Sequence, residues 1–249
     1  WAERIGLSEV GPSVSELAEL KLEQETRFSL LLAALLDPAR TPATAHAFWG
    51  ALIGVLRKLG GRHAAVVEDW EPALVDHLAV WPKRHGAEWN NIDVFGRVMI
   101  EGVYRLGIVI EVKTNPLTGE QPEQLQRYHG LIKGRWNALA RTIFIYLTDN
   151  GRLPTTAGKS VDDWAVIGWK TIAELALDVA EMDGTEAQAR SLMLQVHDTI
   201  QTEILAAEAL ADLYAPHRDL AELSDDAGLC RNHSRIIQLW LHANGRRPQ

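Results

Sequence analysis

A nine-residue stretch, GIVIEVKTN at residues 107–115, places two charges in the most apolar strand that the sequence predicts. Successive side chains of a strand point to opposite faces, so Glu111 and Lys113 share one face, about 6–7 Å apart along the backbone. Ile110 and Val112 belong to the other face. A buried charge is costly unless it is paired or binds a metal ion. The stretch therefore predicts either a structural ion pair at a strand end or a metal site.

The composition is that of an ordinary globular protein with a sizeable core. The chain has 249 residues, 47% hydrophobic and 23% charged, which allows one large α/β domain or one domain with an extension. Its single cysteine, Cys230, excludes an internal disulfide framework and favours a cytoplasmic location. The longest apolar run, residues 30–36, is too short to span a membrane, and we recognise no secretory signal.

The net charge of -8 argues against a protein that coats nucleic acid without specificity, because such proteins carry a basic surface. It does not exclude a local basic groove, since binding depends on where the charges lie. Three groups of basic residues are candidates for such a groove: Arg57, Lys58, Arg62 and His63; Lys83, Arg84 and His85; and Arg127, Lys133, Arg135 and Arg141. Trp89, near the second group, could stack on bases.

Hydrophobic periodicity and turn residues predict an α/β core with helices added at both ends. Helices are predicted at residues 14–36, 43–59, 123–134, 171–182, 185–214 and 234–243. Strands are predicted at residues 64–69, 91–100, 106–114, 141–151 and 165–169, with a hairpin turn around Gly102. The mixture of Trp, Pro and His at residues 70–90 gives no assignment.

Acidic residues in two neighbouring predicted strands have the pattern of a divalent metal site. Asp93 precedes Glu111 by 18 residues and can face it across the sheet if the two strands pair. Two converging carboxylates with open coordination positions suit Mg²⁺ or Mn²⁺, which prefer oxygen ligands. Lys113, on the same face, could stabilise developing negative charge or help to orient and deprotonate the attacking water. On the next helix Gln124 and Tyr128 share a face, and Gln124 could hold this water or a phosphate.

These motifs resemble those of the PD-(D/E)XK nuclease superfamily. The segments NNIDV, IVIEVKT and EQLQRY follow the order of the branch with an I-D, I-E-x-K and Q-L-x-x-Y pattern, and RFSLLLAALLDP resembles its opening helix. The resemblance covers roughly residues 16–150. It implies a restriction-endonuclease-like α/β core at residues 14–170, with a mixed central sheet flanked by helices. Residues 171–249 would form a C-terminal helical extension packed on this core.

Carried over by position, the resemblance implies that Asp93 and Glu111 bind the divalent metal ion, joined by the backbone carbonyl of Val112. Glu25 lies where many members carry a helical glutamate near the metal site, so it is expected to be an outer or second-metal ligand. Lys113 would be the catalytic lysine.

The same comparison by position assigns supporting residues and shows two departures. Gln124 would be the helical glutamine of the motif, with Tyr128 supporting it. The segment VVED resembles the first core strand, with Glu68 or Asp69 at its end and Glu68 as a supporting residue. Ile92 stands where the motif has proline, which varies in the superfamily. Asn91 stands where related sequences often have Gly-Arg before the I-D pair, which would alter a phosphate contact.

The resemblance implies a Mg²⁺- or Mn²⁺-dependent nuclease that hydrolyses phosphodiester bonds, with DNA as the expected substrate and a prokaryotic setting in phage defence or mobile elements. Expected nucleic-acid contacts are Lys83, Arg84, Trp89 and Arg127. One alternative is a catalytically inactive module of the same fold that binds nucleic acid or a protein partner. Another is a structural α/β domain in which Glu111 and Lys113 only pair with each other. The C-terminal helices could also form a homodimer seam or a partner surface.

Overall fold

The computed structural model describes residues 24–70, 75–82, 92–100, 103–114, 120–135 and 141–205. The helices are α1 (Gln24–Leu35), α2 (Pro42–Leu59), α3 (Gly61–Val66), α4 (Gln124–Arg135), α5 (Trp169–Glu181) and α6 (Ala187–Ile200). The strands are β1 (Val75–Pro82), β2 (Val94–Ile100), β3 (Val103–Val112), β4 (Thr142–Thr148) and β5 (Trp164–Gly168). A 3₁₀ helix, Gly158–Asp163, precedes β5, and a π-helical turn, Gln201–Leu205, follows α6.

The five strands form one mixed sheet in the order β1-β2-β3-β4-β5. β1, β2 and β3 are antiparallel neighbours, and the pairing of Ile100 with Val103 confirms the predicted hairpin between β2 and β3. β4 lies parallel to β3, and β5 lies parallel to β4. Parallel neighbours need a crossover connection, and α4 supplies one between β3 and β4. This is the mixed central sheet flanked by helices that the resemblance implied.

Alternation of the side chains in β3 decides what covers each face of the sheet. Ile108 and Ile110 belong to the larger apolar core, which also contains buried residues of α1, α2, α5 and α6. Val109 belongs to a second core with Leu125 and Tyr128 of α4. The acidic residue two positions after Val109 therefore lies on the face that α4 covers.

Residues 64–69 form the end of α3 and a turn, so the strand predicted there is wrong. Gly60 and Gly61 adopt positive φ angles of 73° and 52°, which end α2 and let a second helix begin at once. The guanidinium of Arg57 donates hydrogen bonds to three carbonyls in the turn after α3, at 2.8 to 3.3 Å. These contacts satisfy backbone groups that a strand would have paired with a neighbour.

The first strand of the sheet is instead β1, in the stretch that gave no assignment. It pairs antiparallel with β2 and ends at Pro82, opposite Val94. β1 lies at an edge of the sheet, where proline is tolerated because one side of an edge strand makes no ladder hydrogen bonds. Edge position and proline together explain why the sequence pattern of a central strand is missing there.

α5 and α6 contribute buried apolar side chains to the larger core. The helix predicted at residues 185–214 is confirmed for α6, after which the backbone forms the π-helical turn. Residues 206–249 lie outside the described part of the chain, including the helix predicted at 234–243. The division of the chain at residue 170 therefore stays a prediction.

The remaining predicted helices and strands correspond to elements of the structure, with ends that differ by a few residues. The helix predicted at residues 14–36 corresponds to α1 from residue 24, and residues 1–23 are outside the described ranges. None of the helices in the described part combines the length and the apolar character that crossing a membrane requires.

Asp163, the last residue of the 3₁₀ helix, lies beside basic residues from two of the three groups considered as a possible groove, Arg62 from the first group and Lys133 from the third. Arg62 of α3 and His129 of α4 contact its carboxylate, and Nζ of Lys133 lies 3.4 Å from it. Burial raises the pKa of Asp163, but Arg62, His129 and Lys133 outweigh burial and hold the pKa below its usual value. These basic residues therefore join α3, α4 and the 3₁₀ helix around one carboxylate.

Candidate active site

Asp93 and Glu111 meet where β2 and β3 pair. Val94 lies opposite Ile110 in the antiparallel register, which brings the residue before Val94 level with the residue after Ile110. The Asp93 carboxylate accepts a hydrogen bond from the backbone N–H of Val112 through Oδ2, at 2.9 Å. Both acidic side chains are buried. Strand pairing thus holds two carboxylates together in the interior of the protein.

Lys113 follows β3 and is held through both its side chain and its backbone. Its Nζ lies 2.7 Å from Oε1 of Glu111 and 4.0 Å from Oε2 of Glu25, in the first turn of α1. Its backbone N–H donates to the carbonyl of Leu147 at 2.8 Å. Its carbonyl accepts a hydrogen bond from the indole N–H of Trp169, also at 2.8 Å. β4 and α5 therefore fix the lysine together with its ion pair.

The side-chain amide of Gln124 connects α4 to the acidic pair. Its Nε2 donates to Oε1 of Glu111 at 2.9 Å and to the hydroxyl of Tyr128 at 3.0 Å. Its Oε1 accepts the backbone N–H of Gln121 at 3.2 Å, while the backbone N–H of Gln124 donates to the carbonyl of Gln121 at 3.0 Å. These two hydrogen bonds join Gln124, the first residue of α4, to a residue three positions before the helix. They thereby orient the amide toward Glu111.

Comparison with protein families agrees with the fold. A model of the PD-(D/E)XK nuclease superfamily matches residues 16–195, more than half of the chain. The chain belongs to the PD-(D/E)XK nuclease superfamily. The match runs past residue 150, where the resemblance in the sequence ended, and includes α5 and part of α6. No curated protein and no solved structure matches the chain.

The ionisable groups in the site of this PD-(D/E)XK protein shift one another's pKa values. Burial raises the pKa of Glu111 well above its usual value, and Asp93 raises it further, against the lowering effect of Lys113. Burial lowers the pKa of Lys113, but the carboxylates around it, Glu111 first, outweigh burial and raise this pKa. Burial and Glu111 also raise the pKa of Tyr128. At neutral pH the lysine is therefore charged and the tyrosine hydroxyl keeps its proton.

The two carboxylates fit a divalent metal ion. Oε1 of Glu111 accepts two hydrogen bonds, whereas its Oε2 is buried and has no hydrogen-bond partner among the described residues. Leaving a buried carboxylate oxygen without a donor or a cation is costly. Within the described ranges, no group of three or more Asp, Glu, His or Cys side chains could hold an ion. An ion here would therefore combine Asp93 and Glu111 with backbone or water oxygens, which suits Mg²⁺ because it usually keeps several waters.

Glu68 does not lie on a strand, because the strand predicted at residues 64–69, at whose end it was expected, is absent. Glu68 instead occupies the turn after α3, where its side chain is exposed and its carbonyl accepts a hydrogen bond from Arg57 at 3.3 Å. The supporting role of Glu68 itself stays a prediction.

Arg127 lies on α4 with an exposed side chain, and its Nη2 lies 3.5 Å from Oε1 of Gln121. This position is close to the start of the helix that carries Gln124. The other nucleic-acid contacts predicted from the sequence lie outside the described residues and stay predictions: Lys83, Arg84 and Trp89.

The sequence did not predict two residues that contact the site, Trp169 and Gln121. Trp169 reaches the carbonyl of Lys113 from the start of α5, and nothing in the sequence distinguishes it from the other tryptophans. Gln121 was missed because it contacts Gln124 through its backbone N–H and carbonyl, which carry no signal in the sequence.

Proposed function

We propose that this chain is a divalent-metal-dependent nuclease that hydrolyses phosphodiester bonds of DNA. One buried cluster carries the proposal, because it combines two carboxylates, a fixed lysine and an oriented amide: Asp93, Glu111, Lys113 and Gln124. Membership of the nuclease superfamily supports the same activity.

Asp93 and Glu111 are the proposed metal ligands, with the backbone carbonyl of Val112 as a further ligand, and Glu25 is proposed as an outer or second-metal ligand. The buried Oε2 of Glu111, which accepts no hydrogen bond from the described residues, supports this assignment. Glu25 is supported by its position, 4.0 Å from Nζ of Lys113. A bound Mg²⁺ or Mn²⁺ ion supplies polarisation of the phosphate and a lower pKa for a bound water.

Lys113 is proposed to stabilise negative charge in the transition state. Burial opposes its charge, but the surrounding carboxylates raise the pKa of Lys113, so the ammonium form persists at neutral pH. An ammonium group cannot accept a proton from water, which favours charge stabilisation over general-base catalysis. The backbone contacts with Leu147 and Trp169 keep the ammonium group in place beside Glu111.

Gln124 is proposed to orient the catalytic carboxylate. Its Nε2 donates to both Glu111 and Tyr128, so both N–H bonds of the amide are used. By holding Oε1 of Glu111, the amide leaves Oε2 as the oxygen available to the metal ion. Tyr128 supports this arrangement from the next turn of α4.

DNA is proposed as the substrate because the sequence resembles a family that mostly acts on DNA. Because the net charge is -8, DNA would bind to a local basic surface and not to the protein as a whole. Exposed Arg127 and the basic residues after β1 would contribute to this surface. The cytoplasmic location follows from cysteine usage alone, and the role in phage defence or mobile elements follows from the resemblance alone. A homodimer or partner surface on the C-terminal helices is likewise proposed from the sequence pattern.

The test is cleavage of plasmid, linear and single-stranded DNA with Mg²⁺ or Mn²⁺ by the wild type, Lys113→Ala and Lys170→Ala. Lys170 is the matched control, because it is an exposed lysine on α5 whose Nζ lies 3.9 Å from Glu174. We expect the wild type and Lys170→Ala to cut DNA, and Lys113→Ala to lose about 100-fold or more in rate. DNA binding without cutting by the wild type would instead support the inactive binding module.

A further inference from the structure

The first turn of α4 is capped by a residue from another part of the chain. A helix begins with N–H groups that have no partner within the helix. At the start of α4, the N–H of Leu125 donates to Oγ1 of Thr156 at 3.4 Å, and the N–H of Gln126 donates to the carbonyl of Thr156 at 3.2 Å. Thr156 lies between β4 and the 3₁₀ helix, so this segment closes the start of α4.

Glu120 holds Thr156 in that position. Its Oε2 accepts the N–H of Thr156 at 2.8 Å and the hydroxyl of Thr156 at 2.5 Å. The same carboxylate accepts the N–H of Thr155 at 3.0 and 3.1 Å and the hydroxyl of Tyr146 at 2.8 Å. Burial raises the pKa of Glu120, but these hydrogen bonds outweigh burial and hold the pKa below its usual value. The ionised carboxylate thus joins β4, the segment after it and the start of α4.

Two connections lead from Glu120 to the cluster around Glu111. Along the chain, the next residue, Gln121, donates its N–H to Oε1 of Gln124, whose Nε2 reaches Glu111. Across the sheet, Tyr146 lies opposite Glu111 in the parallel register of β3 and β4. A change at Glu120 can therefore reach the cluster without altering any of the side chains that form it.

We propose that Glu120 is a positioning residue for Gln124. By holding Thr156 against the first turn of α4, its carboxylate fixes the direction in which the Gln124 amide reaches Glu111. The inference rests on the proposed nuclease function, in which Gln124 orients the catalytic carboxylate. Among the described residues, Glu120 accepts hydrogen bonds from the groups of Tyr146, Thr155 and Thr156 named above, so its proposed effect on cleavage passes through other residues.

Four substitutions separate this role from a general loss of structure. Glu120→Gln puts an NH₂ group in place of one carboxylate oxygen, and an NH₂ group cannot accept the hydrogen bonds that meet there. Thr156→Val removes the hydroxyl between Glu120 and Leu125, whereas Thr156→Ser keeps it. Glu174→Gln on α5 is the matched control, because it removes a carboxylate whose side chain is 58% exposed.

The readout is kcat and KM for metal-dependent DNA cleavage, measured in a double-mutant cycle with Gln124→Ala. We expect Glu120→Gln and Thr156→Val to lower kcat by about 10- to 100-fold with little change in KM, and Thr156→Ser to recover most of the rate. In the Gln124→Ala background, Glu120→Gln should cause little further loss, because both act through one amide. A full further loss in that background, or the same rate for Glu120→Gln as for Glu174→Gln, would overturn the proposal.

Amide hydrogen exchange tests the same link without requiring activity. We expect the N–H groups of Leu125 and Gln126 to exchange about fivefold faster in Glu120→Gln than in the wild type, as for the loss of a helix cap. Exchange in α6 should not change. If this difference is seen and no protein cuts DNA, the nuclease function fails while the positioning by Glu120 stands. Unchanged exchange at both amides would overturn the positioning itself.

Discussion

The ammonium group of Lys113, the residue directly after β3, lies 2.7 Å from Oε1 of Glu111, near the end of that strand. A strand places residues i and i+2 on one face, so this pair needs no other element to bring it together. Exposure of the two side chains is 1% for Glu111 and 5% for Lys113, so the pair lies in the interior. Asp93, Glu25 and Gln124 then approach the pair from β2, α1 and α4.

Replacing Glu111 by glutamine is expected to stabilise the metal-free protein at neutral pH. Burial and Asp93 raise the pKa of Glu111, which means that the folded protein disfavours the ionised carboxylate. Glutamine is isosteric and keeps an oxygen that can accept from Lys113 and Gln124. We expect a gain of about 1 kcal/mol in the free energy of unfolding, measured by urea titration in EDTA.

The pH dependence of that gain follows from the sign of the shift. As the pH rises above about 4.3, the usual pKa of glutamate, the unfolded wild type releases the proton of Glu111 more readily than the folded wild type, because the folded pKa is raised. The wild type therefore loses stability with rising pH, and the advantage of Glu111→Gln should grow from pH 4 to pH 7. An advantage that shrinks over this range would contradict the raised pKa of Glu111.

Trp169→Phe is expected to destabilise the protein more than Trp164→Phe. Both tryptophans are buried, but the indole N–H of Trp169 donates to the carbonyl of Lys113, whereas that of Trp164 has no hydrogen-bond partner among the described residues. Only the first change leaves a buried carbonyl without its donor, which costs about 1–3 kcal/mol. Urea unfolding of both variants measures the difference. Equal losses would mean that packing alone explains both.

Glu120→Gln is expected to lower the stability at pH 7 but not at low pH. Burial raises the pKa of Glu120, yet the hydrogen bonds from Thr156, Thr155 and Tyr146 outweigh it and lower this pKa. A carboxylate whose pKa is lowered by folding stabilises the fold above its usual pKa, and this contribution is lost as the pH falls through the folded value. The difference from the wild type should therefore be constant from pH 7 to about pH 4.3 and shrink below it. Thermal unfolding over this range, beside Glu174→Gln, would show a constant gap if neutral contacts alone were responsible.

Local signals in the sequence predicted the central strands β3 and β4. They also singled out Asp93, Glu111 and Gln124, which the structure brings together. Alternation and turn residues were sufficient for β3 and β4, because each is an apolar run bounded by polar or turn residues. Asp93, Glu111 and Gln124 come together because their elements are adjacent in the chain and in space. Their roles in binding metal and in catalysis stay proposals.

Tertiary contacts decided the parts that the sequence did not predict. The segment at residues 64–69 has β-branched residues, but the carbonyls of Val67 and Glu68 accept hydrogen bonds from Arg57 of α2, a contact that no local pattern indicates. Thr156 caps α4 from a segment more than 30 positions away, and the residues directly before this helix contain no serine or threonine. The cap could therefore not be predicted from the neighbouring sequence. In both cases a backbone group is hydrogen-bonded to a residue at least 10 positions away in the sequence.

The central claim is that the Asp93–Glu111 pair holds a divalent ion for DNA cleavage. The most direct measurement is single-turnover cleavage of DNA as Mg²⁺ is added back to EDTA-treated wild type, Asp93→Asn and Asp178→Asn, where Asp178 is an exposed aspartate on α5. We predict cleavage that requires and saturates with Mg²⁺ in the wild type and Asp178→Asn, and a loss of about 100-fold or more in Asp93→Asn. Cleavage that persists in EDTA, or equal rates for Asp93→Asn and the wild type, would contradict it.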